Sequence, residues 1–394
     1  MVAVHPLPRP RGSRVLPWLA VLAVLLVMSQ PARASRDEVL VRLLSREAPA
    51  HLALSTHSGG HLRVGTETLV WPAGARVVLR ACGRGVEVAP DGTSSRFAQT
   101  VTLQADDVRV SGRRLAGALT VRSPDGCSLF VVAAVTLEDY VGGVVSAEAL
   151  ADAPREALRA QAVAARAYAV ALAHPGRALN RPCGPHGDEG YDFCDLTHCQ
   201  VFRGLGSEMA VEAARSTRGL RLRRNGRDVA AWYHSTCGGR TVSGAEVGGD
   251  PALQSVSDIG PDGRAWCAAS PHFRWRVDLS ASDIGRAVEL SPPSMVRVRS
   301  RTAADRAREV EIVAHERRVM GGIAFWQALG RALGWGLVES PWFRIRTGAG
   351  GFHFEGRGLG HGAGLCQFGS MAMARAGRGF RQIIAHYYPG TRLQ

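Results

Sequence analysis

One carboxylate stands where a carboxylate is costly. Across residues 137–148, Leu137, Tyr140, Val141, Val144 and Val145 recur at three- and four-residue spacing, which makes one apolar helical stripe. Glu148 continues that stripe, four residues after Val144 and three after Val145. Turning an ionised carboxylate toward a core costs free energy, so its pKa is expected to rise. A carboxylic acid that keeps its proton near neutral pH can serve as a general acid. The competing expectation is a frayed helix end, with Glu148 paired to Arg155 or Arg159. No second carboxylate stands in a comparable setting: Glu138 and Asp139 read as solvated at the helix start, and Asp152 as a helix cap.

A second chemical signal follows downstream. Cys183, His186, Cys194, His198 and Cys199 put three cysteines and two histidines within 17 residues. That exceeds the four nitrogen or sulfur ligands of a tetrahedral zinc site. The spacing is not that of a standard zinc finger, so the residues leave zinc and disulfides both open. Near the C-terminus, Gly358, Gly360, Gly362 and Gly364 surround His361, which lets backbone pass close to a ligand and exposes the ring. The alternative is a tight turn with a hydrogen-bonded structural His361. No Lys-Ser/Thr follows, so this is not a phosphate-cradling P-loop.

These groups need elements to hold them. A helix is expected over 136–149, started by Thr136 with Asp139 three residues on. Gly142-Gly143 within it would let another backbone or a ligand approach closely. A second, alanine-rich helix starts at Pro154 as its first helical residue and runs to about 173. Upstream, short strands fall at 62–64, 76–79, 86–88, 101–103, 108–110, 118–121 and 128–135, separated by turns such as Pro124-Asp125-Gly126. Downstream, helices are expected at 207–216, 282–288, 322–333, 370–376 and 380–388, and strands at 220–222, 229–233, 274–279, 295–300, 309–313, 343–347 and 351–355. This is an α+β pattern: a β-rich part over 35–135, then a mixed helix and strand region over 136–394.

Composition supplies an address. Arg9, Arg11 and Arg14 precede an apolar run over 15–28 and then Ala32-Arg33-Ala34, which reads as a signal peptide over 1–34. The run is short for a membrane span. The expectation is a secreted, periplasmic or envelope protein with no stable membrane span after cleavage. Removing four arginines lowers the formal charge from +14 to +10. A basic exported chain suits an anionic polymer, and export argues against nucleic acid as partner.

The segments LEDYVGGVVSAEA and REALRAQAVAARAYA resemble the SpoIID/LytB family of bacterial cell-wall proteins, and three later motifs fall in the family's order. The resemblance runs from about residue 39 to the C-terminus. It implies a peptidoglycan lytic transglycosylase whose catalytic acid matches Glu148. DFCDLTHCQVF resembles the family's zinc segment, which implies a structural zinc held by Cys194, His198, Cys199 and an upstream histidine, His186. Cys183 is the rival fourth ligand; an even count of remaining cysteines favours His186. The segments WYHSTCGG and GLGHGAGLCQFG resemble two further family motifs, and the resemblance implies Gln200, His234, Ser235, His361 and Gln367 as groove residues. Many members carry Met-Ser where Leu365-Cys366 stands. Cys82 with Cys127 and Cys237 with Cys267 are candidate disulfide pairs, and a Cys237–His234 nucleophilic pair is a competing idea. The family's other branch implies an alternative: a non-catalytic, peptidoglycan-binding activator of a cell-wall amidase.

Overall fold

Strict alternation of buried and exposed residues marks the N-terminal strands, as in Glu38–Leu43 and His51–Thr56, where every second side chain enters the core. The computed structural model describes residues 38–90, 94–173 and 186–394. The expected signal peptide and Cys183 lie outside the described residues. The fold is mixed α+β, and the ten strands of its N-terminal region form one 11-stranded sheet together with Phe193–Cys194. Glu38–Leu43 pairs antiparallel with Phe130–Thr136, which places the start of the described chain beside the strand that feeds the first helix. The two strands expected at 101–103 and 108–110 are one, Thr100–Val110, with a bulge between Ala105 and Val108. Glu67–Trp71 escaped the sequence reading because only Trp71 of its five residues is buried.

Seven helices follow in the described residues: α1 Leu137–Glu148, α2 Arg155–Leu172, α3 Glu208–Ser216, α4 Ala281–Val288, α5 Gly322–Leu333, α6 Gln367–Arg375 and α7 Phe380–Tyr387. Thr136 caps α1 by accepting the Asp139 N–H at 3.1 Å. Pro154 sits one position earlier than expected, as the extended N-cap of α2. The Gly142-Gly143 pair admits backbone, not ligand. A Cβ on Gly143 would lie 2.3 Å from the Gly204 carbonyl and 2.5 Å from the Phe202 ring.

Two polar expectations at these helices change. Glu138 is not solvated; it pairs with the buried Arg166 of α2 at 2.6 Å, because that guanidinium needs a counter-charge inside. Asp152 is not a cap; it pairs with Arg375.

Three cores organise the chain. The first joins the large sheet to α1, α3 and one face of α2, through Leu158, Ala162, Ala165 and Tyr168. The second packs the other face of α2, including Ala160, Val163, Ala164 and Ala167, against α7 and the buried thiols Cys237, Cys267 and Cys366. Buried on both faces, α2 is the wall between them, and its alanines allow close approach. The third core holds α4 and α5 over strands between Trp275 and Phe354. Among the described residues no helix is long and apolar enough to cross a membrane.

Candidate functional site

Glu148 is the last residue of α1, and the stripe before it (Tyr140, Val141, Val144, Val145) is fully buried. The helix therefore delivers the carboxyl to the edge of the first core, where it faces a cleft of about 870 Å³. Burial pushes Glu148 up to about 7, against hydrogen bonds from the Tyr233 hydroxyl and the Val201 N–H that favour the ionised form. The Val201 contact is 2.5 Å. The frayed-end alternative fails: Arg155 pairs with Glu212, and Arg159 with Glu156 and Ser216.

The cleft gathers residues from all three cores. Gln200, His234, Ser235, His361 and Gln367 line it together with Glu148. Their roles differ. Gln367 donates to the Glu148 backbone carbonyl at 2.9 Å, tying α6 to the end of α1. Gln200 donates to the Tyr233 hydroxyl at 3.3 Å, behind the Tyr233–Glu148 contact. His361 accepts the Ala363 N–H at Nδ1, so Nε2 carries the proton and donates to the Tyr233 carbonyl, both at 3.0 Å. Both ring nitrogens are thus spent on backbone, and burial pushes this imidazole down to about 4. His234 spends Nδ1 on the Ala363 carbonyl at 3.0 Å, and its buried Nε2 has no partner among the described residues. The idea of a Cys237–His234 nucleophilic pair fails, since Cys237 Sγ contacts Asp258 and Cys267 instead.

Two features were missed in the sequence. Tyr233 sat inside a motif but was not singled out. Glu339 is a second carboxylate lining the cleft, paired with His272 at 2.9 Å. It arrives from the third core, where Ile323 and Trp326 of α5 and the exposed Trp335 form an apolar wall. No local pattern near residue 339 points to a cleft shared with Glu148, 191 residues earlier in the chain.

The cysteine/histidine segment forms one rim. His186, Cys194, His198 and Cys199 bring one ligand atom each within 4.8 Å of one another. His186 Nε2 lies 3.2 Å from His198 Nε2, and Cys194 Sγ 3.3 Å from His198 Nδ1. The Cys194 thiol is pushed down to about 5, first by its hydrogen bond with Cys199 and then, against burial, by His198. The loop is anchored from below. Phe193–Cys194 adds a parallel strand beside Val41 and Arg42. The next residue, Asp195, is wholly buried, pairs with Arg113 at 2.5 Å and accepts the Leu44 N–H. Thr197, His198 and Cys199 then border the cleft directly. Cys82 and Cys127 are both exposed and unbonded, so the structure contains no Cys82–Cys127 bridge.

Residues 126–223, which include α1, α2 and the cysteine/histidine segment, match the model of the SpoIID family, "Stage II sporulation protein". An uncharacterised protein of Brachyspira hyodysenteriae is 28% identical over 278 residues, 68% of this chain and 69% of that one. Stage II sporulation protein D of Bacillus subtilis is 26% identical over 66% of this chain and 74% of its own length. An amidase enhancer of Bacillus subtilis is 25% identical over 64% of this chain, but only 40% of the enhancer is covered.

Proposed function

We propose, from the premise that this chain belongs to the SpoIID/LytB family and has a cell-wall-related function, that it is an exported lytic transglycosylase acting on peptidoglycan glycan strands. The observation that carries the reading is Glu148: a carboxyl held protonated near pH 7 by burial, at the edge of a large cleft. It donates its proton to the glycosidic oxygen as the C1–O bond breaks. The resulting carboxylate accepts the proton of the same sugar's C6 hydroxyl, whose oxygen closes on C1. Water is not consumed, and the product carries a 1,6-anhydro ring. A pKa near the working pH suits a group that must act as acid and then base.

The neighbours support both states. The Tyr233 hydroxyl and Val201 N–H stabilise the carboxylate formed after the first step. Trp326 and Trp335 offer apolar faces for sugar rings. His361 and Gln367 act as positioning residues, since their polar atoms hold the Tyr233 and Glu148 backbone. Two thiols and two imidazoles within 4.8 Å fit a structural zinc held by His186, Cys194, His198 and Cys199. Bound there, zinc would close its shell on protein ligands and fix the rim next to Gln200 and Val201.

Digestion of peptide-free glycan strands tests the reading. Wild type should release 1,6-anhydro ends, and Glu148→Gln should lose about 10²–10⁴-fold of that rate. Equal rates in both, or no anhydro product from wild type, defeat it. The similarity to an amidase enhancer favours one alternative, a glycan-binding activator of a cell-wall amidase. That alternative predicts stimulation of an added amidase that Glu148→Gln leaves unchanged.

A further inference from the structure

A second group of thiols lies inside the second core. Cys237, Cys267 and Cys366 are each fully buried, and the carboxyl of Asp258 is buried with them. One ligand atom from each of the four lies within 4.8 Å of every other. We propose that Cys237, Asp258, Cys267 and Cys366 form a second metal site, a closed structural site for a thiophilic divalent cation, zinc first. This site is separate from the cysteine/histidine rim and does not depend on the transglycosylase reading.

The first argument is distance. Cys237 and Cys267 have their sulfurs 3.5 Å apart. A disulfide needs about 2.05 Å, whereas two thiolates on one tetrahedral zinc, each at about 2.3 Å, stand roughly 3.7 Å apart. The second is number. A Cys237–Cys267 bond would use two thiols and leave Cys366 and the Asp258 carboxyl buried around nothing. Four donors at one point match a tetrahedral shell.

The third argument is the surroundings. Asp258 Oδ1 accepts the Tyr387 hydroxyl at 2.6 Å, with His386 Nε2 at 3.8 Å, and Oδ2 turns to Cys237 Sγ at 3.1 Å. One oxygen is therefore oriented by neighbours while the other points into the cluster, as an outer shell orients a ligand. The sulfurs accept backbone N–H groups: Gly239 to Cys237 at 3.4 Å, and Cys237 and Gly369 to Cys366 at 3.2 and 3.4 Å. These bonds stabilise thiolates. The buried Arg306 donates to the Cys237 carbonyl at 3.2 Å, which puts a fixed positive charge beside a shell that stays negative after a divalent cation binds.

The site has a consequence for the cleft. Cys237 follows Ser235 by two residues, and Cys366 precedes Gln367. One ion would thus clamp the two segments that carry His234, Ser235, His361 and Gln367, whose strand pairing is only two residues long, Tyr233–Leu365 and His234–Cys366. Zinc at the rim and zinc in the core would brace Glu148 from opposite sides.

Metal content of the purified full chain, after zinc loading and removal of excess, tests this. Wild type should hold two zinc ions per chain. Cys194→Ser/Cys199→Ser should keep one, and Cys237→Ser/Cys366→Ser should also keep one. A wild type with a single ion that survives in Cys237→Ser/Cys366→Ser overturns the second site and leaves the rim site standing. A single ion lost only from Cys237→Ser/Cys366→Ser does the reverse. Should the core variant fail to fold, Tyr387→Phe keeps the packing and should weaken zinc retention by about 10–100-fold through loss of the Asp258 hydrogen bond; unchanged retention of both ions counts against the site. Alkylation of the denatured, unreduced wild type should modify Cys237, Cys267 and Cys366 alike. A linked Cys237–Cys267 peptide overturns the proposal.

Discussion

The rim cluster and the core cluster use similar donors in opposite settings. At the rim, four donors come from residues 186–199, His198 is exposed, and the loop is pinned by the Asp195–Arg113 pair. In the core, four donors come from residues 237, 258, 267 and 366, all are buried, and Arg306 and Tyr387 surround them. The rim cluster closes a short loop, so it organises its own neighbourhood. The core cluster joins segments some 130 residues apart, so it organises the molecule. Between them lies Glu148, its carboxyl touched from the rim side by Val201 and from the core side by Tyr233, and its backbone carbonyl held by Gln367.

Metal removal should break the contrast most sharply. Structural zinc contributes on the order of 10 kcal/mol in small domains. Chelation should strip a proposed rim zinc first and loosen only residues near 186–201, while a proposed core ion should leave only on global opening. Hydrogen exchange during chelation checks this; simultaneous loss at both clusters would erase the distinction.

Arg113→Ala tests how far the rim depends on the sheet. It leaves the Asp195 carboxylate buried without its main counter-charge and should cost about 3 kcal/mol of stability. Thermal unfolding reads the loss, and the rim zinc should bind more weakly than the core one.

Glu148→Gln should raise stability. In the folded chain Glu148 titrates near 7, and in the unfolded chain near its ordinary 4.5. Between those values the unfolded state releases the proton first, so stability falls as pH rises from about 4.5 to 7 and then levels off. The glutamine variant lacks that fall and should gain roughly 1–3 kcal/mol at pH 8 and little at pH 4. Equal denaturant midpoints at pH 8 would show that the carboxyl is not desolvated. On the proposed reading, the same proton should make transglycosylase activity decline as pH rises through about 7.

Smaller effects separate the cleft's supporting groups. Tyr233→Phe removes a donor to the carboxylate, so the pH limb should move upward at a cost of about 1 kcal/mol. Glu339→Gln should leave anhydro products intact. Conversion to hydrolysed reducing ends in wild type, abolished by Glu339→Gln, would instead indicate a two-carboxylate mechanism.

What could be read from the chain alone was whatever is local. The apolar stripe ending in Glu148, the cap at Thr136, the boundaries of α5 and the rim donors all lie within a few turns or one loop. There, periodicity and residue type fix the outcome, because backbone hydrogen bonding repeats every few residues. The polar partners were less legible: Glu138 looked solvated until α2 brought Arg166 to it. Only the tertiary structure decided that Glu339 shares a cleft with Glu148, that both His361 nitrogens are spent on backbone, and that three distant cysteines meet one aspartate. Those facts depend on how two cores pack against α2 and how the third meets them at the cleft, and side-chain packing between cores leaves no period in a sequence.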